Sequence, residues 1–358
     1  MHHTKRRVST IFAFSRMSVA LLFGLFLTGL IGQASAETKL NIWGSTDTSA
    51  FTSLILTFEA QNPDIDIIYH ELSSNELYDQ VKTTQKKGDE PIDLVISSAI
   101  DLQVKLVNDG LASPYVSDAT NLVPDWARWR NELFGFTYEP IVLAYNKAAF
   151  KGYPLPKSHA ELAELIISNI NYFKFRVGTY DVNSSGAGYL FFTQDALQSN
   201  QIFRLIEALS RAQMRTFGFT AAILDAVASG ELFLGYNVIG TYALERAKND
   251  PNLGVLPFKD YTIVMARTAF IYKYSPNRDG AERFLEYLLS DQGQQVIADD
   301  SSLIPISPTL RRERLPKDGT NAYLPIKLGV GILTYQDSLK RQSFLEVWNS
   351  IFSQSNSD

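Results

Sequence analysis

The sequence has no cysteine and only four histidines among 358 residues. Without cysteine there can be no disulfide, no thiolate metal ligand and no cysteine nucleophile. Only His70 and His159 lie outside the first 36 residues, and no Gly-x-Ser-x-Gly or His-Glu-x-x-His motif is present. We expect His159, at the start of a predicted helix, to be exposed to solvent. These absences favour a protein that is not an enzyme and that carries no metal or cofactor.

Positive charge is concentrated at the N-terminus. Four basic residues within the first 16 precede an uncharged apolar run over residues 19–31, and Ala34-Ser35-Ala36 follows this run. The arrangement predicts a signal peptide, residues 1–36, that is cleaved after Ala36. An uncleaved membrane anchor is the alternative, but the apolar run is short for a permanent span. We therefore expect an exported protein of the periplasm.

The remainder of the chain is acidic. Removal of the four cations of the leader lowers the formal net charge from −5 to −9. A protein that binds nucleic acid or an anionic membrane would need a basic face. We therefore expect neither of these partners.

Three strand patterns, each followed by a helical pattern, come directly after the leader. The strands are predicted at residues 39–43, 65–70 and 93–96. This alternation predicts an α/β fold with a parallel, doubly wound sheet, in which ligands bind beyond the carboxyl ends of the strands. Small polar residues follow the first and third strands, and we expect some to cap helices and others to bind a ligand. These candidates are Ser45, Thr46, Asp47, Thr48, Ser97 and Ser98.

Two long apolar stretches, residues 134–147 and 261–274, are predicted to be strands that cross between two lobes. The chain is long enough for two domains of ordinary size. Two crossings form a pair of hinges, which allows the lobes to close around a ligand. We predict a first lobe formed by 37–137 together with 270–358, and a second lobe formed by 138–269.

Further candidate ligand residues come from the second lobe. The hydroxyl-rich loop Ser184-Ser185-Gly186 follows a strand predicted at 175–180, and either an anion site or a turn that needs glycine would explain it. Aromatic and polar side chains near the ends of other strands would also admit a sugar. The candidates are Ser184, Ser185, Gly186, Tyr236, Asn237, Tyr138 and Glu139.

Two arginines are candidate partners for an anionic ligand. Arg128 lies between Trp126 and Trp129, where it could form a cationic wall of the cleft or simply stack on the aromatic rings. Arg267 lies within the predicted return strand, where it could bind the ligand or pair with an acidic residue at the hinge.

Three motifs carry a resemblance to a known family. They are the run Leu288-Leu289-Ser290-Asp291-Gln292-Gly293-Gln294, the crossing from Tyr138-Glu139-Pro140 to Tyr145-Asn146-Lys147, and the loop Ser184-Ser185-Gly186. In these the chain resembles the periplasmic solute-binding proteins of ATP-binding-cassette importers, and most closely the ferric-iron, hexose-phosphate and phosphoglycerate branch. The resemblance implies a type II periplasmic binding fold, with two doubly wound lobes joined by two crossover strands, and no catalysis.

The resemblance also bears on the ligand and on the partner. Ferric-iron members use adjacent tyrosines at the end of a second-lobe strand, whereas the matching segment here reads Tyr236-Asn237-Val238-Ile239-Gly240-Thr241-Tyr242. Because the pair is missing, we expect a small organic anion, phosphorylated or carboxylated, rather than iron. The expected partner is an inner-membrane permease, or a sensor kinase if the protein is a signalling adaptor. We expect a monomer.

Overall fold

The structure is a computed structural model that describes residues 38–84, 90–315 and 322–355. The predicted signal peptide, residues 1–36, lies outside the described residues. Within the described ranges no helix has the length and apolar character needed to cross a bilayer.

Two seven-stranded sheets organise the part of the chain that the structure describes. The first sheet contains β1 (Thr38–Gly44), β2 (Ile65–Glu71), β3 (Leu94–Ser97), β4 (Ala112–Ser113), β5 (Arg128–Trp129), β6 (Leu133–Gly135) and β13 (Thr268–Tyr272). The second sheet contains β7 (Glu139–Asn146), β8 (Val177–Tyr180), β9 (Arg215–Phe217), β10 (Leu234–Ile239), β11 (Leu253–Leu256), β12 (Thr262–Met265) and β14 (Tyr323–Pro325). The strand orders are β2-β1-β3-β13-β6-β5, with β4 beside β13, and β14-β12-β7-β10-β8-β9, with β11 beside β7.

Helices connect the strands of both sheets. They are α1 (Thr48–Gln61), α2 (Ser74–Thr83), α3 (Ile100–Asn108), α4 (Asp118–Leu122), α5 (His159–Ser168), α6 (Ile170–Phe173), α7 (Gly186–Gln198), α8 (Ile202–Arg211), α9 (Thr220–Ala228), α10 (Gly240–Asn249), α11 (Arg278–Leu289), α12 (Asp291–Asp300), α13 (Pro308–Arg311) and α14 (Ser338–Ser355). Short 3-10 helices occupy Asp125–Ala127 and Val330–Gln336.

The first sheet begins as the alternating pattern predicts. Strand β1 pairs in parallel with both β2 and β3, because each strand returns through a helix that packs on the sheet. Helix α1 buries Phe51, Leu54 and Phe58 on one stripe, which is the spacing of an amphipathic helix. The three carboxyl ends therefore lie side by side at one edge of the sheet.

The chain passes between the two sheets in two crossings, and each predicted long strand is divided into two. The stretch 134–147 forms β6 in the first sheet and β7 in the second, with residues 136–138 between them. The stretch 261–274 forms β12 in the second sheet and β13 in the first. The break coincides with the change of sheet, because strands that pass from one sheet to another bend or lose their pairing at that point.

Two C-terminal elements, β14 and α14, pack with the second sheet, whereas the 3-10 helix between them packs on α3, where Gln336 donates to Asp101. Strand β14 pairs in parallel with β12, and the stripe of α14 buries Phe344 and Trp348 in the same apolar cluster as Phe192. The ring centroids of Phe192 and Trp348 are 4.6 Å apart. The predicted division, with 37–137 and 270–358 in one lobe and 138–269 in the other, stays a prediction.

Candidate ligand-binding cleft

A cavity of about 810 Å³ lies where loops from both sheets meet, and we call it the cleft. From the first sheet come the loops after β1, β2 and β3 together with Arg267; from the second come the loop after β8 and the first turns of α7, α9 and α10. The lining residues are Ser45, Asp47, Glu71, Leu72, Ser73, Ser74, Glu76, Ser98, Tyr180, Ser184, Ser185, Ala187, Gly218, Phe219, Thr220, Ala221, Ala222, Asp225, Ile239, Tyr242 and Arg267.

The two hydroxyl loops of the first sheet meet at the cleft. Ser45 Oγ lies 2.9 Å from Ser97 Oγ and accepts a hydrogen bond from the backbone N–H of Ser98 over 3.3 Å. Ser45 and Ser98 line the cleft, whereas Ser97 supports them from behind. Thr48 does not reach the cavity, because its N–H and hydroxyl both donate to Glu71, at 2.8 and 2.6 Å. Glu71 thus caps α1 from the neighbouring strand.

Asp47 precedes α1 but makes no capping bond with its side chain. It lines the cleft instead. Burial raises the pKa of this carboxyl, against the lowering effect of the Arg267 charge. Asp47 is therefore an acceptor available to a hydroxyl or ammonium group of a ligand.

Arg267 is the one cation among the described residues that line the cleft. Its side chain is 1% exposed and forms a bidentate pair with Glu139, with Nε 2.8 Å from Oε1 and Nη2 3.3 Å from Oε2. Nη1 donates to Thr46 Oγ1 and Nη2 to the Tyr242 hydroxyl, each over 3.0 Å. Burial opposes the charge, but the Glu139 carboxylate outweighs it, and the pKa of Arg267 is raised above its ordinary value.

The predicted loop at residues 184–186 faces the first sheet across the cleft. The Asn75 side-chain amide donates to the Ser184 backbone oxygen over 2.7 Å. Ser185 Oγ accepts from Gly188 N–H and caps α7. A Cβ at Gly186 would lie 2.9 Å from Asn75 Oδ1 and 3.0 Å from Ser74 Oγ. Glycine is needed here because two loops approach closely, whatever else the loop binds.

The first turn of α9 lines the cleft, but none of the predicted site residues lies in it. Phe219 occupies its N-cap, and no side chain of the described residues caps the helix. The first N–H groups of a helix have no intrahelical acceptors, and the turn Thr220-Ala221-Ala222 lines the cleft. The hydroxyls of Thr220 and Tyr180 are hydrogen-bonded to each other at this end of the cavity. An uncapped helix preceded by Gly218 was the available signal for an anion site.

Four carboxylates of the described residues also line the cleft, and three of them already have hydrogen-bond or ion-pair partners within the protein. Glu71 caps α1, Glu76 forms a capping box with Ser73, and Asp225 pairs with Arg246 over 3.0 Å. Each of these charges is thus at least partly balanced by a neighbouring helix N-terminus or cation. Asp47 is the carboxylate left to face a bound molecule.

Several predicted site residues lie away from the cleft. Arg128 bonds the Thr120 backbone oxygen and pairs with Asp125 over 3.3 Å. Tyr138 packs edge-on against Trp126, with Arg311 over its ring. Glu139 does not line the cleft, because its carboxylate is fully buried and bonded within the protein.

Tyr236 and Asn237 are also buried inside the second lobe. The Tyr236 hydroxyl and the Asn237 amide both donate to Asp195, at 2.8 and 2.7 Å. Register between β10 and β7 shifts between Gly235 and Val238, and Asn237 has a φ of 59°. At this bulge both side chains point to Asp195, and Tyr242, in the first turn of α10, lines the cleft instead.

His159 was expected to be exposed, and this expectation is wrong. Its ring is stacked on Tyr261 at a centroid distance of 4.1 Å, and its Nδ1 lies 3.0 Å from Asp260 Oδ2. Burial raises the pKa of Asp260, but the hydrogen bonds and the charge of His159, together with the Tyr261 backbone N–H, outweigh burial and the pKa is lowered. A helix N-terminus beside a carboxylate can thus bury a histidine that a capping-box pattern places at the surface.

The chemistry available in the cleft is that of reversible capture. Hydroxyl donors, a helix N-terminus and one arginine surround a space large enough for a small metabolite. Among the described residues, no group of three or more His, Asp or Glu side chains is arranged to hold a metal ion. Two α/β sheets joined by two crossings, with such a cavity between them, define a two-lobed binding protein.

The sequence comparison identifies the family. Residues 43–295 match the bacterial extracellular solute-binding protein family, and the chain belongs to it. Members are binding components of transport systems rather than enzymes, and the predicted family resemblance is confirmed.

Individual relatives agree with this assignment. A substrate-binding protein of an ABC transporter from Agrobacterium tumefaciens superposes with a TM-score of 0.83 and 32% identity, over 90% of this chain and 96% of that one. Iron uptake protein A1 from Synechocystis sp. is 26% identical over 75% of this chain and 76% of its own length. Phosphoglycerate transport regulatory protein PgtC from Salmonella typhimurium is 33% identical over 37% of this chain and 30% of its own length. The predicted two-lobed α/β fold is therefore confirmed.

Proposed function

We propose that this protein captures a small organic anion, a phosphorylated or carboxylated metabolite, in the cleft and presents it to a membrane permease from the periplasmic side. One observation carries the proposal: the cleft combines the Arg267 guanidinium with the uncapped first turn of α9. Both are donors that favour negative charge. The hydroxyls of Ser45, Ser98 and Ser184 lie around the same space.

The acidic surface of the protein does not oppose this proposal. Charges far from the cleft are screened within about 8 Å at physiological ionic strength, whereas donors inside a closed cavity act at short range. Asp47 adds an acceptor for a hydroxyl group. The preferred solute therefore carries an anionic group together with hydroxyl groups, as phosphorylated sugars and hydroxy acids do.

Iron(III) is a second candidate because of the similarity to Iron uptake protein A1. Iron(III) favours hard anionic oxygen ligands, and Tyr180 and Tyr242 are the tyrosines of the cleft. Their hydroxyls are already bonded, to Thr220 and to Arg267. Burial raises the pKa of both phenols, that of Tyr242 to about 12, so both are neutral at ordinary pH. The cleft thus fits an organic anion better than a bare ferric ion.

A signalling role is the other candidate, favoured by the similarity to a transport regulatory protein. In that case the ligand-bound form would dock on a periplasmic sensor domain rather than on a permease. Copurification of the ligand-bound protein with membrane extracts separates the two, because each predicts a different class of membrane partner.

Thermal shift with matched pairs of compounds tests the proposed function. Fructose 6-phosphate is compared with fructose, 3-phosphoglycerate with glycerol, and citrate, spermidine and ferric citrate complete the panel. A compound at a hundred times its dissociation constant stabilises the native state by about 2.7 kcal/mol. We expect a rise in Tm with a phosphorylated or carboxylated compound and none with its neutral counterpart. A rise with ferric citrate but not with citrate would favour iron instead.

A further inference from the structure

Most N–H donors of the Arg267 guanidinium are already used in hydrogen bonds within the protein. Its five N–H donors include four that are assigned within the protein: two to Glu139, one to Thr46 and one to Tyr242. The remaining N–H belongs to Nη1, and Arg267 lines the cleft. The side chain is therefore fixed in direction before any ligand arrives.

Glu139 is the centre of this arrangement. Its carboxylate is fully buried and accepts from Arg267 on both oxygens. The Thr137 hydroxyl donates to Oε1 and the Thr241 hydroxyl donates to Oε2, each over 2.7 Å. The Thr137 hydroxyl also accepts the backbone N–H of Arg267 over 2.7 Å. Each carboxylate oxygen accepts two hydrogen bonds, and these bonds fix the orientation of the Glu139 side chain.

The partners come from both sides of the cleft and from both crossings. Glu139 begins β7 and Thr241 lies in α10, on the side of the second sheet. Thr46 follows β1 of the first sheet. Thr137 and Arg267 lie in the two segments that pass between the sheets. Any change in the angle between the sheets therefore moves some of these partners relative to others.

Stability alone is a weak reason for such a pair. Burial of two charges has a desolvation cost that their attraction often only matches, and apolar replacements of buried pairs are frequently neutral or stabilising. A fully satisfied polar network does, however, select one geometry. What the pair provides is the placement of a guanidinium at the cleft.

We propose that Glu139 is a positioning residue for ligand capture: it holds Arg267 at the angle at which its free N–H meets the anionic group of the solute. This inference rests on the proposed function, since it needs an anion in the cleft. Glu139 itself does not touch the ligand. Glu139 acts through Arg267. Its substitution should therefore change ligand affinity only in a protein that retains the arginine.

A double-mutant cycle on ligand affinity tests this dependence. The four proteins are the wild type, Glu139→Gln, Arg267→Gln and the double variant, with fructose 6-phosphate and 3-phosphoglycerate as probes in isothermal titration. Glu139→Gln preserves size and one acceptor but removes the charge. We expect it to weaken binding about tenfold or more in the wild-type background. In the Arg267→Gln background the same change should alter affinity by less than about twofold.

Controls separate positioning from folding. The Tm of each ligand-free variant is measured, and titrations are run well below the lowest Tm. Asp195→Asn is the matched control, because it also neutralises a buried carboxylate of the second lobe, but one that does not line the cleft. It should lower Tm and leave the affinity within about twofold of wild type. If Arg267→Gln does not fold, Arg267→Met replaces it in the cycle, because it also removes the charge and the N–H donors.

The outcomes are distinct. Equal losses from Glu139→Gln in both backgrounds, or no loss in the wild type, overturn the inference and leave the proposed function standing. Partial recovery of affinity in Glu139→Asp, which retains the charge, supports it. If neither probe binds the wild type, the proposed function fails and the inference fails with it.

Discussion

The Asn75 side-chain amide donates to the backbone oxygen of Ser184 over 2.7 Å, and this bond joins the two sides of the cleft. Asn75 lies in α2 on the side of the first sheet, and Ser184 precedes α7 on the side of the second. The bond can form only where the loops approach closely, and Gly186 permits that approach. The two sides of the cleft are thus in direct contact through residues that need not touch a ligand.

Gly186→Ala is expected to weaken solute binding without a large change in the stability of the ligand-free protein. The added methyl group would lie 2.9 to 3.0 Å from atoms of Asn75, Ser74 and Leu102. These contacts oppose closure, and we expect a loss of affinity of about tenfold, mainly through faster dissociation. Stopped-flow measurement of the dissociation rate checks this. Gly331→Ala, where a Cβ meets nothing within 4 Å, is the matched control.

Much of the cleft was predictable because strand ends in a parallel sheet share an edge. Ser45, Asp47 and Ser98 line the cavity for that reason alone. Arg267 was predictable only as one of two possibilities, ligand contact or hinge pair; the structure shows the ion pair with Glu139, and ligand contact stays a prediction for a residue that lines the cleft. Sequence patterns were sufficient for Ser45, Asp47 and Ser98 because their place in the cleft depends only on where a strand ends.

The errors share a physical cause. Tyr236 and Asn237 lie within β10, where a bulge brings both side chains to the same buried partner, Asp195, instead of to the cleft. Strand patterns give alternation of faces but not the position of a bulge. The first turn of α9 was missed because Thr220 and Ala221 carry no distinctive side chain, and the groups that the proposal uses are backbone N–H groups, which no sequence pattern marks.

Asp101 should make the protein less stable as pH rises from about 4 to about 6. Burial raises the pKa of this carboxyl to about 6, and Gln336 donates to it from the 3-10 helix before α14. Because the folded state holds the proton more tightly than the unfolded state, stability is highest below the unfolded pKa and falls as pH passes through this window.

The corresponding variant is Asp101→Asn, which cannot ionise. Its free energy of unfolding at pH 7 should exceed that of the wild type by about 3 kcal/mol, and the decline between pH 4 and 6 should be absent. Urea denaturation at several pH values measures both. An identical pH profile in the two proteins would show that Asp101 titrates normally in the folded state.

Trp348→Ala tests whether α14 belongs to the core of the second lobe. The Trp348 ring is 3% exposed and packs against Phe192 and Phe344. Its removal should lower the free energy of unfolding by about 3 to 5 kcal/mol. Val347, the preceding residue, is 42% exposed, and Val347→Ala should change stability by less than about 0.5 kcal/mol. If urea denaturation showed the same free energy of unfolding for Trp348→Ala and Val347→Ala, α14 would not belong to the core.

Ferric citrate should produce no tyrosinate charge-transfer absorption in the visible spectrum of the protein. An iron ion would have to remove the Tyr242 proton, against a pKa raised by burial to about 12, and displace the hydrogen bond from Arg267. It would also lie beside the Arg267 charge, which repels a cation. Absorption spectra of the wild type and of Tyr242→Phe, recorded with and without ferric citrate, check this expectation. A visible band that disappears in Tyr242→Phe would show that the tyrosine binds iron, and the organic-anion proposal would then have to give way to a ferric one.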